Sequence, residues 1–234
     1  MVHRLVYSGV NYHVAISKHL LANVKTILPY YKNIQLRVIY PSFHVPEKSE
    51  STPEKDKTLK IVHVGRVVPG KGHRDAILAC AVLYDKGVDF ELFFYGSSED
   101  EKYKEEILDL ISGLTYKSKI FFSGHVDNVS EQLEKADIFL YPSYGEGFGN
   151  VFIEAMSNKL SVVTYNNTTF PEFIQMGFNF RMAVDGDIDS LSAKLLDAAN
   201  CIDEEVSTFE ENAALVGSLF RRDRERADWL SVLV

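Results

Sequence analysis

The amino-acid sequence predicts an α/β fold, a Rossmann-like parallel sheet with helices on both faces. Short β-rich runs alternate repeatedly with helical patterns, a series that other fold classes seldom produce. The run Ile138-Phe139-Leu140-Tyr141 is apolar throughout, as a strand covered on both faces is. Glycine-rich turns follow two of the strands, and open α/β sheets bind ligands where strands end and helices begin.

Residues 13–17 (HVAIS) read as a strand, 18–31 as a helix, and 37–40 (RVIY) as a strand ended by Pro41. Residues 47–57 (EKSESTPEKDK) hold no large apolar side chain and contain Pro53, so they read as a linker between a segment 1–46 and a domain 58–200. Strands are predicted at 60–64, 90–95, 120–123, 138–141 and 161–164, with a weaker pattern at 178–184. Helical patterns fill the gaps at 74–86, 99–113, 128–136, 149–158 and 188–200. The tail 201–234 is helical with a break near Phe220.

Composition bounds the function. At 234 residues and 46% apolar content the chain can bury a sizeable core, as one large domain or one domain and part of another. A net charge of −8 argues against a general nucleic-acid binder. Cys80 and Cys201 lie far apart with no metal-ligand spacing, which fits a reducing, cytoplasmic compartment. The longest unbroken apolar run, 76–84, is far short of the roughly 20 residues a membrane span needs, and no signal-peptide pattern opens the chain. The charge is uneven. Residues 1–46 contain no Asp or Glu and carry +5 through Arg4, Lys18, Lys25, Lys32 and Arg37, leaving −13 to the remainder. Such a segment suits an anionic partner or, equally, a solvated helix face.

Two junctions carry chemistry. The first is the strand at 60–64 running into Gly65-Arg66-Val67-Val68-Pro69-Gly70-Lys71-Gly72 and then a helix. Free backbone N–H groups, a helix N-terminus, the Arg66 fork and the Lys71 point charge together suit a diphosphate. Neither the nucleoside-triphosphate loop nor the GxGxxG fingerprint is present, and the same residues also suit an ordinary surface turn. The second junction follows the strand at 138–141, with Glu146 in a loop and Glu154 in the next helix. Eight residues of helix span about 12 Å, the reach of an elongated sugar nucleotide, so two carboxylates could bind hydroxyls at its two ends. Gly147 and Gly149 clear side chains from the backbone between them. A loop-closing glycine pair beside a solvated helix glutamate explains this segment as well.

Taken together, Gly65-Arg66 with Lys71-Gly72, the strand ending at Gly96, Gly124-His125-Val126, and Pro142-Ser143-x-x-Glu146-Gly147-Phe148-Gly149 with Glu154-Ala155-Met156 resemble a known pattern. It is that of the C-terminal, donor-binding half of GT-B-fold retaining glycosyltransferases of family 4 (glycosyl transferases group 1), from about His13 to Ala199. The resemblance implies transfer of a sugar from a nucleotide-sugar donor to a glycan or lipid-linked acceptor, with retention and without a metal or other cofactor. Its implied catalytic residues are Arg66 and Lys71, which would neutralise the diphosphate, and Glu146, which would hold the transferred sugar together with Gly147 and the backbone of Phe148 and Gly149. Glu154 would bind the ribose, Asn150 and Val151 would lie beneath the diphosphate, and Gly65, Gly96, His125 and Val126 would complete the donor site.

The sequence departs from the family after Glu154, where Lys159-Leu160-Ser161-Val162-Val163 replaces a Gly-x-Pro-Val run, and at Asn166-Asn167-Thr168-Thr169, which replaces a Gly pair. Both bear on the transferred sugar. The resemblance also implies that 1–46 is a remnant of an N-terminal acceptor domain, with about 120 or more residues of that domain absent. A separate acceptor-domain chain would then be a partner, and the basic segment would face the cleft, that partner or a membrane, giving a cytoplasmic protein with peripheral contact at the inner face. The tail at 220–234, with Arg221, Arg222, Arg224, Arg226 and Trp229, resembles the family's terminal helix, which crosses back to the first domain, and fits an ordinary solvated helix with an apolar stripe equally well. Asp185-Gly186-Asp187 and Asp187-Ile188-Asp189 mimic a D-x-D metal site but precede a helix, where Asp is a common N-cap. His63, His73 and His125 lie at or near strand ends, where structural roles are commoner than catalytic ones. A non-catalytic nucleotide-sugar-binding scaffold and a GT-B sugar-nucleotide epimerase are the competing readings.

Overall fold

The computed structural model describes residues 11–27, 34–44 and 58–233. The linker at 47–57 and the last predicted turn of the first helix lie outside them. The described residues begin with a strand, helix and strand, β1 (Tyr12–Ala15), α1 (Lys18–Ile27) and β2 (Gln35–Val38), whose strands pair in parallel as a separate two-stranded sheet. Ser17, read from sequence as the end of the strand, instead caps α1: its Oγ accepts the Leu20 N–H at 3.2 Å.

The main sheet is six-stranded and wholly parallel, with order β5-β4-β3-β6-β7-β8. Its strands are β3 (Leu59–Val64), β4 (Phe90–Tyr95), β5 (Ile120–Gly124), β6 (Ile138–Tyr141), β7 (Ser161–Tyr165) and β8 (Arg181–Ala183). The connections form α2 (His73–Ala79), α3 (Ala81–Asp85), α4 (Glu101–Ser112), α5 (Val129–Leu133), α6 (Asn150–Ser157), α7 (Phe170–Gln175) and α8 (Ile188–Cys201), with α9 (Val206–Leu219) and α10 (Arg222–Leu233) as the tail. The single helix expected over 74–86 is two short ones meeting at Cys80. Helix α7 answers to no predicted element.

Strand alternation builds two cores. Ile61, Ile138 and Leu140 face one side, with Ala76, Ile77, Leu83, Ile107 and Leu195 of the helices there. Val62, Phe139 and Tyr141 face the other, with Leu133, Phe152, Phe173 and Val216. Helices therefore cover both faces, and every residue of β6 and β7 is buried. Each such apolar side chain contributes about 1.5–3 kcal/mol on burial. The helix starts obey local chemistry: Asp100, Asn128 and Asp187 accept the N–H groups of Tyr103, Glu131 and Ser190.

Strand order reverses between β3 and β6, because β4 and β5 add outward on one side and β7 and β8 on the other. The crevice beyond the C-terminal ends of these two neighbours is where this architecture binds ligands. The turns leaving β3 and β6 are the two junctions singled out from sequence.

Candidate active site

Two glycines let the turns close on each other. Gly72 has φ +72°, and a Cβ there would lie 2.0 Å from the Pro142 carbonyl oxygen. Gly96 has φ +148°, and a Cβ there would lie 2.0 Å from the Gly65 oxygen. Only glycine allows the β3 exit to approach both neighbours so closely. The approach is then stitched by hydrogen bonds. The Tyr144 N–H donates to the Gly70 carbonyl at 3.0 Å, and the Ser143 hydroxyl lies 3.2 Å from the same oxygen.

Lys71 and Glu146, 75 residues apart in the chain but adjacent at the crevice, meet as an ion pair with side chains 19% and 11% exposed. Three donors converge on one carboxylate oxygen of Glu146. They are Lys71 Nζ, the Tyr141 hydroxyl at 2.6 Å and the Ser143 hydroxyl at 2.8 Å. Below them, His63 Nε2–H donates to the Lys71 carbonyl at 2.7 Å, fixing the short 3-10 turn Pro69–Lys71. The His63 and His73 rings sit 4.4 Å apart in full burial, and burial pushes the His63 imidazole down to about 4 and His73 lower still. Both are neutral at physiological pH.

Glu154 lies on α6, half-buried, and burial raises its carboxyl above the usual range. Its carboxylate has no partner among the described residues. Gly149, at φ +89°, is the N-cap of α6 and has no side chain to cap it, so the Asn150 and Val151 N–H groups stay unpaired within the helix. Asn150 is exposed, while Val151 packs on the second core. The Phe148 ring is buried against Tyr40, Phe173 and Phe220, so Phe148 offers the site only its backbone. Gly147 meets the N-terminal segment: its carbonyl accepts the Ser17 hydroxyl at 2.6 Å, and a Cβ would lie 3.2 Å from Leu20.

Arg66 leaves the β3 tip into solvent and pairs with Glu99 at 3.0 Å, both more than half exposed, an arrangement that holds it only weakly. Gly65 bonds to the end of β4. Beyond β5, the His125 side chain is largely exposed and 3.8 Å from Asp127, while Val126 packs inward. In the D-x-D stretch, Asp187 caps α8 and Asp185 accepts from Asn167 at 2.6 Å. Sequence reasoning missed Tyr141 and Glu172. A tyrosine closing an otherwise apolar strand was the available signal for the first, because a buried phenol requires a partner.

A family model described as "Glycosyl transferases group 1" matches residues 44–215. The chain belongs to this family. It is 30% identical over 135 residues to the capsular polysaccharide biosynthesis glycosyltransferase CapM of Staphylococcus aureus, covering 58% of this chain and 35% of that protein. It is 28% identical over 158 residues to the poly(ribitol-phosphate) alpha-N-acetylglucosaminyltransferase of the same species, covering 65% and 31%. The chain thus spans about a third of the length of these curated relatives. The fold matches the crystal structure of a glycosyltransferase from Rickettsia africae ESF-5 with a TM-score of 0.84 at 20% identity, over 99% of this chain and 66% of that one. Anabaena HepE in complex with UDP and glucose matches with a TM-score of 0.81 at 19% identity, over 95% and 63%. The parallel sheet with flanking helices is that of GT-B glycosyltransferases.

Proposed function

We propose that this chain is the donor-binding half of a retaining glycosyltransferase that moves a sugar from a nucleotide-sugar to a glycan or lipid-linked acceptor. The observation that carries this reading is the meeting of Lys71 and Glu146 at the β3–β6 switch point, with Glu154 on the helix that follows and without a side-chain partner among the described residues. Lys71, Arg66 and the open N-terminus of α6 would receive the diphosphate and the charge it gains on leaving. Lys71 is then shared between the phosphate and Glu146. Glu154 would accept the ribose hydroxyls, and Glu146, with the backbone from Gly147 to Gly149, would hold the transferred sugar. Gly65, Gly96, His125 and Val126 would border the nucleotide.

The relatives named for capsule and wall polymers, and the solved relative holding UDP and glucose, support a polysaccharide-building role and a nucleotide donor. Acceptor binding is assigned to a further domain that would join the unit at 11–44, in the same or a separate chain. Among the described residues no helix is long and apolar enough to cross a membrane. A cytoplasmic site with peripheral contact at the inner face fits a lipid-linked acceptor.

Titration calorimetry with UDP-glucose and GDP-mannose tests the site. Glu154→Ala is expected to weaken binding of the cognate donor about tenfold or more, and Arg66→Ala to weaken it several-fold, as lost hydrogen bonds to charged groups do. Unchanged affinity in both variants refutes the assignment. A transfer assay with and without an acceptor-domain chain tests the division of labour.

A further inference from the structure

Glu146 is held on one side only. Lys71, Tyr141 and Ser143 all donate to its Oε1, whereas Oε2 accepts from no described residue. A carboxylate has lone pairs on both oxygens, so the arrangement leaves one oxygen saturated and the other open. Of the three donors, Tyr141 is the one whose side chain is set by ring packing. Its side chain is 2% exposed, and its ring lies 5.1 Å from Phe139, 5.3 Å from His63 and 6.4 Å from Phe170, edge-on. Lys71 is a flexible stem, and the single Ser143 proton has a second acceptor at the Gly70 carbonyl, 3.2 Å away. Burial, reinforced by the neighbouring carboxylate, holds the Tyr141 phenol far above its usual range, so it keeps its proton and donates. A phenylalanine would fill the same space. The hydroxyl therefore has a use beyond packing.

We infer that Tyr141 is a positioning residue of the donor site, fixing Glu146 by Oε1 so that Oε2 alone is presented to a hydroxyl of the transferred sugar. The inference rests on the donor-site reading above and adds a specific consequence. Tyr141 governs recognition of the sugar and leaves recognition of the nucleoside diphosphate alone.

The experiment compares wild type with Tyr141→Phe by calorimetry, using UDP-glucose and GDP-mannose beside UDP and GDP. The expected result is a five- to tenfold loss of affinity for the cognate nucleotide-sugar, with affinity for its free diphosphate within about twofold of wild type and an unchanged thermal transition. Equal weakening of both ligands, or none of either, overturns the role of Tyr141 while the donor site stands. Failure of wild type to bind any of the four ligands overturns the donor site, and this inference with it. Should Tyr141→Phe lose its cooperative thermal transition, Ser143→Ala removes a second donor from the same oxygen. A smaller selective loss for the sugar form is then expected, and its absence overturns the inference.

Discussion

At the scale of single residues, the site depends on positions that cannot change chemistry without changing geometry. Gly72 combines a left-handed backbone with a would-be Cβ 2.0 Å from the Pro142 oxygen, whereas a Cβ on Gly70, two residues earlier, meets nothing within 4 Å. Gly72→Ala is expected to cost about 3 kcal/mol and to abolish donor binding, because the β3 and β6 turns must part; Gly70→Ala should be nearly neutral. Thermal denaturation of the pair checks this, and equal shifts would refute it. The buried histidines give a second expectation. Their folded pKa values lie below the unfolded value of about 6.5, so their contribution is complete above that pH and is lost as pH falls toward about 4, the folded value of His63. Each histidine that protonates only on unfolding steepens the loss by up to about 1.4 kcal/mol per pH unit. Denaturant melts at pH 7.5 and 5.0 should show this acid loss shrinking in His73→Phe, whose ring would keep the stacking on Phe94. An unaltered difference would assign the loss elsewhere.

Among the elements, what could be read in advance followed from local rules. Apolar runs located five of the six main-sheet strands to within a residue or two, and Asp187 was legible as a cap because Asp before a helical pattern is a common start. Asp187→Ala should therefore cost about 1 kcal/mol, measured as a lower melting temperature. Retained stability would return Asp187 to some other role. Helix α7 was illegible for the opposite reason. Six residues show too little periodicity, and Pro171 reads as a breaker although proline is favoured in a first helical turn. The split at Cys80 was hidden because 76–84 is apolar throughout and carries no turn residue. In the site, the motif residues were visible by type and order. Their pairing was not, since the contact of Lys71 with Glu146 depends on strand order, and the single-sided hold by Tyr141 depends on which face of β6 its ring takes.

Across the whole molecule, one carboxylate joins the two sheets. Glu172 of α7 is 6% exposed, yet both its oxygens accept the Lys18 N–H, at 2.9 and 3.0 Å, and Oε2 also lies 3.4 Å from the His19 N–H. The Tyr40 hydroxyl, raised above its usual range by burial and by this same carboxylate, donates to Oε1. Glu172 thus supplies acceptors to the orphan N–H donors at the start of α1 from another part of the chain. Around it, Ser17 holds Gly147, the Glu225 carboxylate accepts the Ser42 N–H at 3.1 Å, and the Phe43 N–H donates to Phe220 at 2.8 Å. The tail thereby returns to the unit at 11–44. Glu172→Ala would leave two backbone donors and a phenol unpaired, at about 1–3 kcal/mol each. Because β1 and β2 share no ladder with the main sheet, the loss should fall on the junction and spare β3–β8. Native-state hydrogen exchange is expected to show faster exchange through α1 in Glu172→Ala, with protection of β6 and β7 retained. Uniform loss across both sheets would mean that the chain opens as one unit and that Glu172 is a core residue, not the fastening between its parts.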